Sequence, residues 1–224
     1  MMLMASCGTE TPVTSPPRTD SGLPPKPAPI DTTAVLEDPV IAQGEDRDGV
    51  NPGTIAPGGP DAMLRVAMSE RLRIAIEGLR HLPGMCVGTG RMHHAPASAE
   101  EDTLASRQDL YKAAADHAVD MLEEHYFSHN GLDGSWPQNR AWAAGYRGTI
   151  VGENLATVIF PRGYRFTETQ VLEIFVNRWL ASESGHCDTI YNMNWEDTGV
   201  AVASKIGGKG KTRFVGVQMF GAWN

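Results

Sequence analysis

Histidine side chains are the first candidates for chemistry in this chain, because a neutral imidazole can bind a transition metal or exchange a proton near neutral pH. The sequence contains seven of them. His117 lies on an apolar helical stripe, which indicates a hydrogen-bonded core residue rather than a metal ligand. His93 and His94 lie in a loop rich in Gly and Ala, and His125 lies near a helix end. Exposure to solvent explains these three, with a metal site in the histidine tract as the alternative.

Two serines lie next to histidines without forming the pattern of a hydrolase. Ser128 directly precedes His129, and adjacent residues on one chain seldom turn their side chains toward each other. Ser184 precedes Gly185 and His186 but lacks the Gly-x-Ser-x-Gly turn that exposes a catalytic serine between a strand and a helix. Neither serine therefore supports a catalytic triad.

The chain contains three cysteines, Cys7, Cys86 and Cys187, and can therefore form at most one internal disulfide at a time. If Cys7 is modified, the other two form an even pair that would be oxidised outside the cytoplasm. A Cys86–Cys187 disulfide would close a loop of roughly 100 residues and stabilise the fold by up to about 4.7 kcal/mol. Two unpaired thiols are the alternative, and so small a set is not expected to bind a metal.

The N-terminus contains a candidate lipidation site at Cys7, within the run Ala5-Ser6-Cys7-Gly8. This run resembles the end of a bacterial lipoprotein signal, in which small residues admit the peptidase and the cysteine thiol is acylated. The basic segment of such a signal is missing, and the apolar run is shorter than the roughly 7 to 15 residues expected. We interpret residues 1–7 as the remnant of a signal, with an accidental match as the alternative.

Residues 8–60 have the composition of a disordered linker. Eleven of the fifteen prolines precede residue 61, no aromatic residue precedes Tyr111, and this stretch carries eight acids against three bases. Such a segment buries too little apolar surface to offset the entropy of ordering. We expect a spacer here, followed by one folded domain over residues 61–224.

The charge of the chain argues against nucleic acids and anionic membrane surfaces as partners. Its formal net charge is -8 and its pI is near 5.3, without the clustered Lys and Arg that phosphate backbones require. No apolar run approaches the roughly 20 residues needed to cross a bilayer. We therefore expect no nucleic-acid partner, and any membrane attachment would use the lipid anchor.

Hydrophobic periodicity predicts helices first and a sheet later. Apolar residues recur at three- and four-residue spacing, and alternate with polar ones in the strands. The predicted helices are 61–82, 102–126, 137–144 and 167–181, and the predicted strands are 149–158, 198–205 and 213–220. We predict an α+β fold, a small antiparallel sheet covered by helices.

A series of short motifs in one order resembles the bacterial branch of the CAP superfamily. That superfamily comprises cysteine-rich secretory proteins, antigen 5 and plant pathogenesis-related proteins, and its domain is also called SCP. The resemblance covers about residues 62–222. The motifs include Phe127-Ser128-His129, Asp133-Gly134-Ser135, Arg140 with Ala144-Gly145-Tyr146, Gly152-Glu153-Asn154, Trp179, Ser184-Gly185-His186-Cys187 and Gln218-Met219-Phe220-Gly221.

The resemblance implies an α-β-α sandwich with a central cleft lined by His129, Glu153 and His186. In some members the two histidines bind a divalent metal such as zinc, and a nearby carboxylate can orient a ring or accept a proton. Eukaryotic members have a second glutamate three residues after the helix tryptophan. Ser182 occupies that position here, and the acid follows at Glu183, which could enter the cleft or point into solvent.

Three functions follow from the resemblance. The first is a monomeric, extracytoplasmic and lipid-anchored protein whose cleft or adjoining groove binds a small apolar or lipid-like ligand, with zinc or another divalent metal as a cofactor. The second is a metal-assisted hydrolase in which Glu153 acts as the base. The third is an envelope interaction scaffold without catalysis.

Overall fold

The computed structural model describes residues 62–96 and 103–223. The expected signal remnant at 1–7, the candidate lipidation site Cys7 and the expected linker at 8–60 lie outside the described residues. Among the helices described, none is both long and apolar enough to cross a bilayer.

A mixed sheet forms the centre of the domain, with its strands in the order β1-β6-β7-β5 and with β4 added beside β6. The three long strands are antiparallel neighbours, and among residues 62–96 and 103–223 β5 pairs only with β7, at the edge of the sheet. Strands β2 and β3 form a separate hairpin. The strands are β1 (Met63–Leu64), β2 (Gly84–Cys86), β3 (Arg91–His93), β4 (Ala105–Ser106), β5 (Ile150–Phe160), β6 (Asp197–Ile206) and β7 (Thr212–Ala222).

Helices cover both faces of this sheet and create two apolar cores. One core joins residues of α1, α4 and α5 to Ala156 and Val158 of β5, and the other joins residues of α2 and α3 to Leu155. The helices are α1 (Val66–Arg80), α2 (Gln108–Glu123), α3 (Pro137–Ala144), α4 (Glu168–Leu180) and α5 (His186–Ile190). The predicted α+β sandwich is confirmed.

Sequence periodicity located the long elements but not all of their ends. Helix α3 has the predicted bounds, and Thr167 caps α4 by accepting a hydrogen bond from the Gln170 amide at 3.2 Å. The second helix begins later than predicted because Ala105 and Ser106 pair with β6, and it ends before Tyr126. His125 adopts a left-handed φ of 60°, which ends helical geometry there.

Helix α5 and the short strands were not predicted. Strands of two or three residues and a helix of five residues are too short to show a hydrophobic period, so tertiary contacts decide their conformation. The N-terminal Met63 and Leu64, expected to begin the first helix, instead pair with Ser204 and Ala203 of β6.

The short helix α5 is tied to the rest of the fold from two sides. The predicted disulfide is present, and it joins Cys86 of β2 to Cys187, with both residues buried. Arg80, at the end of α1, is 1% exposed and donates to the carbonyls of Ile190 and Asn192. Its burial lowers the pKa of Arg80 to about 10, so the guanidinium remains charged at neutral pH.

We predict that loss of the disulfide destabilises the domain and α5 above all. The two cysteines are 101 residues apart, and removing a native bridge from a small domain typically costs about 2–5 kcal/mol. Denaturant unfolding of the Cys86→Ala/Cys187→Ala variant against the oxidised parent measures the difference. Equal unfolding free energies would show that the bridge contributes nothing.

Candidate functional site

Two adjacent residues of the edge strand β5 organise the site. Successive side chains of a strand point to opposite faces, so Glu153 faces the layer of α2 and α3 while Asn154 faces the layer of α5. Gly152 and Asn154 both lie inside β5, within the predicted strand 149–158, and Gly152 makes room for the Trp195 ring.

The carboxylate of Glu153 is buried and has both oxygens occupied. Its side chain is 1% exposed, with Oε1 2.8 Å from Nδ1 of His129 and Oε2 2.7 Å from Nη2 of Arg140. A buried carboxylate needs such partners, and removing one member of a buried ion pair costs about 3–5 kcal/mol. Arg140 is therefore the counterion that permits a carboxylate at this position.

Arg140 also fixes the loop that carries His129. Its guanidinium donates through Nη2 to the backbone carbonyl of His129 at 2.9 Å and through Nη1 to the carbonyl of Ser135 at 3.0 Å. The sequence motifs include Arg140 but did not indicate that it belongs to the site. The feature that could have indicated it is a cationic residue in a short helix between His129 and Glu153 along the chain.

His117 of α2 also holds the loop that carries His129. It is 1% exposed, and its Nε2 lies 2.9 Å from the carbonyl oxygen of Ser128, directly before His129. Burial lowers its pKa, which favours the neutral ring that donates to this carbonyl. The prediction of a hydrogen-bonded core histidine is confirmed.

His186 is positioned by the opposite layer. It is the first residue of α5, after Gly185 in the left-handed region at φ 90°, and the disulfide follows at Cys187. Asn154 donates from Nδ2 to the carbonyl oxygen of His186 at 3.1 Å. Burial, and then the charge of the nearby His129 ring, lower the pKa of His186.

The two imidazoles face each other with their ring centroids 6.3 Å apart. A zinc ion bonded to one nitrogen of each ring at about 2.1 Å would lie roughly 3.2 Å from each centroid, which places the two centroids about 5.2 Å apart at the tetrahedral angle. The observed separation is larger, so the two rings must move toward each other by about 1 Å to share an ion in that geometry. Because Nδ1 of His129 contacts Glu153, its Nε2 is the nitrogen available to such an ion.

Glu183 does not join these side chains. It is exposed, and among the residues described it forms no hydrogen bond or ion pair with His129, Glu153 or His186. Of the two alternatives that the sequence left open, the structure has the solvent-facing one. The chain between α4 and α5 passes close to Gly88, where a β-carbon would lie 2.2 Å from the carbonyl oxygen of Ser182.

His93 differs from the exposed loop residue that was expected. It belongs to β3, stacks on Tyr191 with ring centroids 4.8 Å apart, and places Nε2 3.2 Å from Oδ1 of Asp188. His94 and His125 are exposed as expected. Pairing of β3 with β2, which the sequence did not reveal, is what turns His93 toward α5.

A cavity of about 480 Å³ lies away from the two histidines, between β1, α2 and the end of α3. Its apolar surface comes from Leu64, Tyr111, Ala115 and Ala144. Its rim is polar and includes Asp109, Asp116 and Lys112, whose Nζ lies 2.6 Å from Oδ2 of Asp116. The volume lies within the range of small-molecule sites.

Two bacterial proteins of solved structure are similar to this chain. An outer surface protein from Borrelia burgdorferi is 20% identical, with a TM-score of 0.51 over 74% of this chain and 100% of that one. An extracellular protein containing an SCP domain from Bacillus anthracis is 17% identical, with a TM-score of 0.47 over 70% of this chain. The present chain spans only 41% of that protein's length.

Sequence comparison gives the family. No curated protein matches the chain. The family model of the cysteine-rich secretory protein family, CAP, matches residues 74–220, which is more than half of the 224 residues. This match includes His129, Glu153 and His186, and the chain therefore belongs to the CAP family.

Proposed function

We propose that this chain is an extracytoplasmic binding protein that holds a divalent metal ion, such as zinc, between His129 and His186 without catalysing a reaction. The observation that carries the proposal is the pair of rings 6.3 Å apart, each held by its own layer of the fold. Two neutral imidazoles would bind the ion, and water or a ligand atom would complete its coordination.

The contacts of Glu153 favour binding over hydrolysis. A general base needs a free oxygen near the proton that it removes, whereas both oxygens of this carboxylate are engaged by His129 and Arg140. The arrangement suits a carboxylate that fixes the orientation and tautomer of a histidine ligand. Glu153 therefore acts on His129 in this proposal, and no described residue replaces it as a base in the cleft.

The proposed location outside the cytoplasm is supported by the buried disulfide, because such bridges persist in oxidising compartments. We further propose that acylation of Cys7 tethers the domain to a membrane through residues 8–60. The alternative of an envelope scaffold differs from metal binding in one respect: Glu153 would then matter for stability alone.

A small neutral apolar ligand in the α2–α3 cavity is a second candidate function. Its support is the apolar floor formed by Leu64, Tyr111, Ala115 and Ala144 within a cavity of about 480 Å³. A neutral ligand such as a sterol needs no charged partner from this rim, where Lys112 already pairs with Asp116.

We predict that the oxidised protein binds one zinc ion, and that His129→Ala or His186→Ala weakens binding by at least about tenfold. Glu153→Gln should weaken it by about 10- to 100-fold, because loss of a hydrogen-bonded carboxylate behind a ligand has that effect in other sites. Isothermal titration without reductant measures all three. His94→Ala and His125→Ala are the matched controls, since both rings are exposed.

The same titration at several pH values checks the ligand assignment. The lowered pKa of His186 keeps its ring neutral at pH 7, so affinity should be nearly constant at and above neutral pH and should fall at acidic pH as the His186 ring takes up a proton. Unchanged affinity in His129→Ala and His186→Ala would refute the site. A Glu153→Gln variant with normal zinc affinity but lower stability would favour the scaffold.

We predict that Ala115→Trp, which fills the cavity, abolishes any gain in thermal stability that the parent protein shows with a soluble sterol. Ala143→Trp is the control, because residue 143 is exposed on α3 outside the cavity lining. A parent protein whose melting temperature does not rise with sterol would exclude this ligand.

We predict that Cys7→Ser moves the protein from the membrane fraction to the soluble fraction of cells that process lipoproteins. Mass spectrometry of the N-terminal peptide should show an acylated cysteine in the parent only. A parent protein that is soluble and unacylated would remove the proposed anchor.

A further inference from the structure

A second group of metal-binding side chains surrounds the disulfide. One ligand atom each from Cys86, His93 and Asp188 lies within 4.8 Å of the others. The sulfur of Cys187 is bonded to that of Cys86 and so lies beside the same group. Cysteine thiolates, imidazoles and carboxylates are each ligands of zinc, and four such groups complete a tetrahedral site.

Three elements of the fold hold these groups together. Cys86 lies on β2 and His93 on β3, in a hairpin whose register pairs Gly84 with His93. Cys187 and Asp188 lie on α5. The stack of His93 on Tyr191 and its contact with Asp188 hold the imidazole over α5, so the ligands are arranged before any ion arrives.

The oxidation state of the sulfurs decides whether this group can bind a metal. A disulfide sulfur carries no thiolate charge, so the oxidised protein offers only His93 and Asp188. Two external thiols supply two electrons and two protons, the S–S bond breaks, and the external pair becomes a disulfide. A zinc ion can then displace one proton from each of Cys86 and Cys187 and bind both thiolates.

The local charge is compatible with the occupied state. Two thiolates, one carboxylate and a divalent ion leave a net charge of about -1. Nη1 of Arg91 lies 3.9 Å from Oδ1 of Asp188 and partly compensates that charge. His93 and Asp188 are about one fifth exposed, so an ion has a path from solvent.

We propose that Cys86, Cys187, His93 and Asp188 form a latent zinc site that becomes available when the disulfide is reduced. The ion then ties α5 to the β2–β3 hairpin in place of the covalent bridge. This site is separate from the ring pair of His129 and His186, and it does not depend on that pair binding metal.

The experiment uses the full chain carrying Cys7→Ser, His129→Ala and His186→Ala, so that neither the third thiol nor the ring pair contributes. The protein is reduced with a phosphine under argon and titrated with Co²⁺, whose thiolate charge-transfer absorption reports sulfur ligands. We expect one equivalent of Co²⁺ with this absorption after reduction and none before it. Zinc should displace the cobalt and raise the melting temperature of the reduced protein.

Two variants test the other ligands. His93→Phe keeps a ring to stack on Tyr191, and Asp188→Asn keeps the side-chain size; each should weaken cobalt binding by at least about tenfold. His94→Ala is the matched control and should bind normally. If reduction unfolds the chain, recovery of the native near-ultraviolet circular dichroism on adding zinc supports the proposal. Absence of the thiolate absorption, or an affinity in either variant equal to that of the protein with His93 and Asp188 intact, overturns it.

Discussion

The ion pair between Glu153 and Arg140 is the constraint on which the candidate site depends. A carboxylate that is 1% exposed is stable as an anion only with a cation and a hydrogen-bond donor in contact with it. Arg140 supplies the charge, and its Nη2 and Nη1 also donate to the carbonyls of His129 and Ser135, respectively. The need to neutralise one buried acid therefore also fixes the loop on which His129 lies.

The other half of the site, at His186, is held in place by a disulfide and by hydrogen bonds rather than by an ion pair. His186 depends on a short helix that has few hydrogen bonds of its own, and the disulfide, Arg80 and Asn154 hold that helix in place. The two halves meet because β5 is an edge strand whose side chains alternate between the layers. Glu153 and Asn154 are consecutive, so a shift of one residue in the register of β5 would exchange their faces and separate the rings.

The sequence predicted what depends on periodicity and on order along the chain. Long helices and strands bury one face, so α2, α3, β6 and β7 were recognisable, and the apolar stripe placed His117 in the core. Family motifs brought His129, Glu153 and His186 together. Arg140 was missed because its role arises from three contacts at residues 129, 135 and 153, none of which is a local pattern.

His93 and α5 were missed for a related reason. A three-residue strand and a five-residue helix have no detectable period, and their positions depend on the hairpin partner and on the bridge at Cys187. The position of Glu183 also depended on how the chain turns between α4 and α5. In each case the deciding interaction joins residues that are distant along the sequence or lies in an irregular segment.

The most direct test of the account is the tautomer of His129, measured by ¹⁵N–¹H correlation spectroscopy of the imidazole at a pH where histidines are neutral. The contact with Glu153 requires a proton on Nδ1 and a free electron pair on Nε2. The account predicts that tautomer in the parent protein and its loss in Glu153→Ala. A proton on Nε2 of the parent protein would contradict it, because the ring would then have no lone pair to offer toward His186.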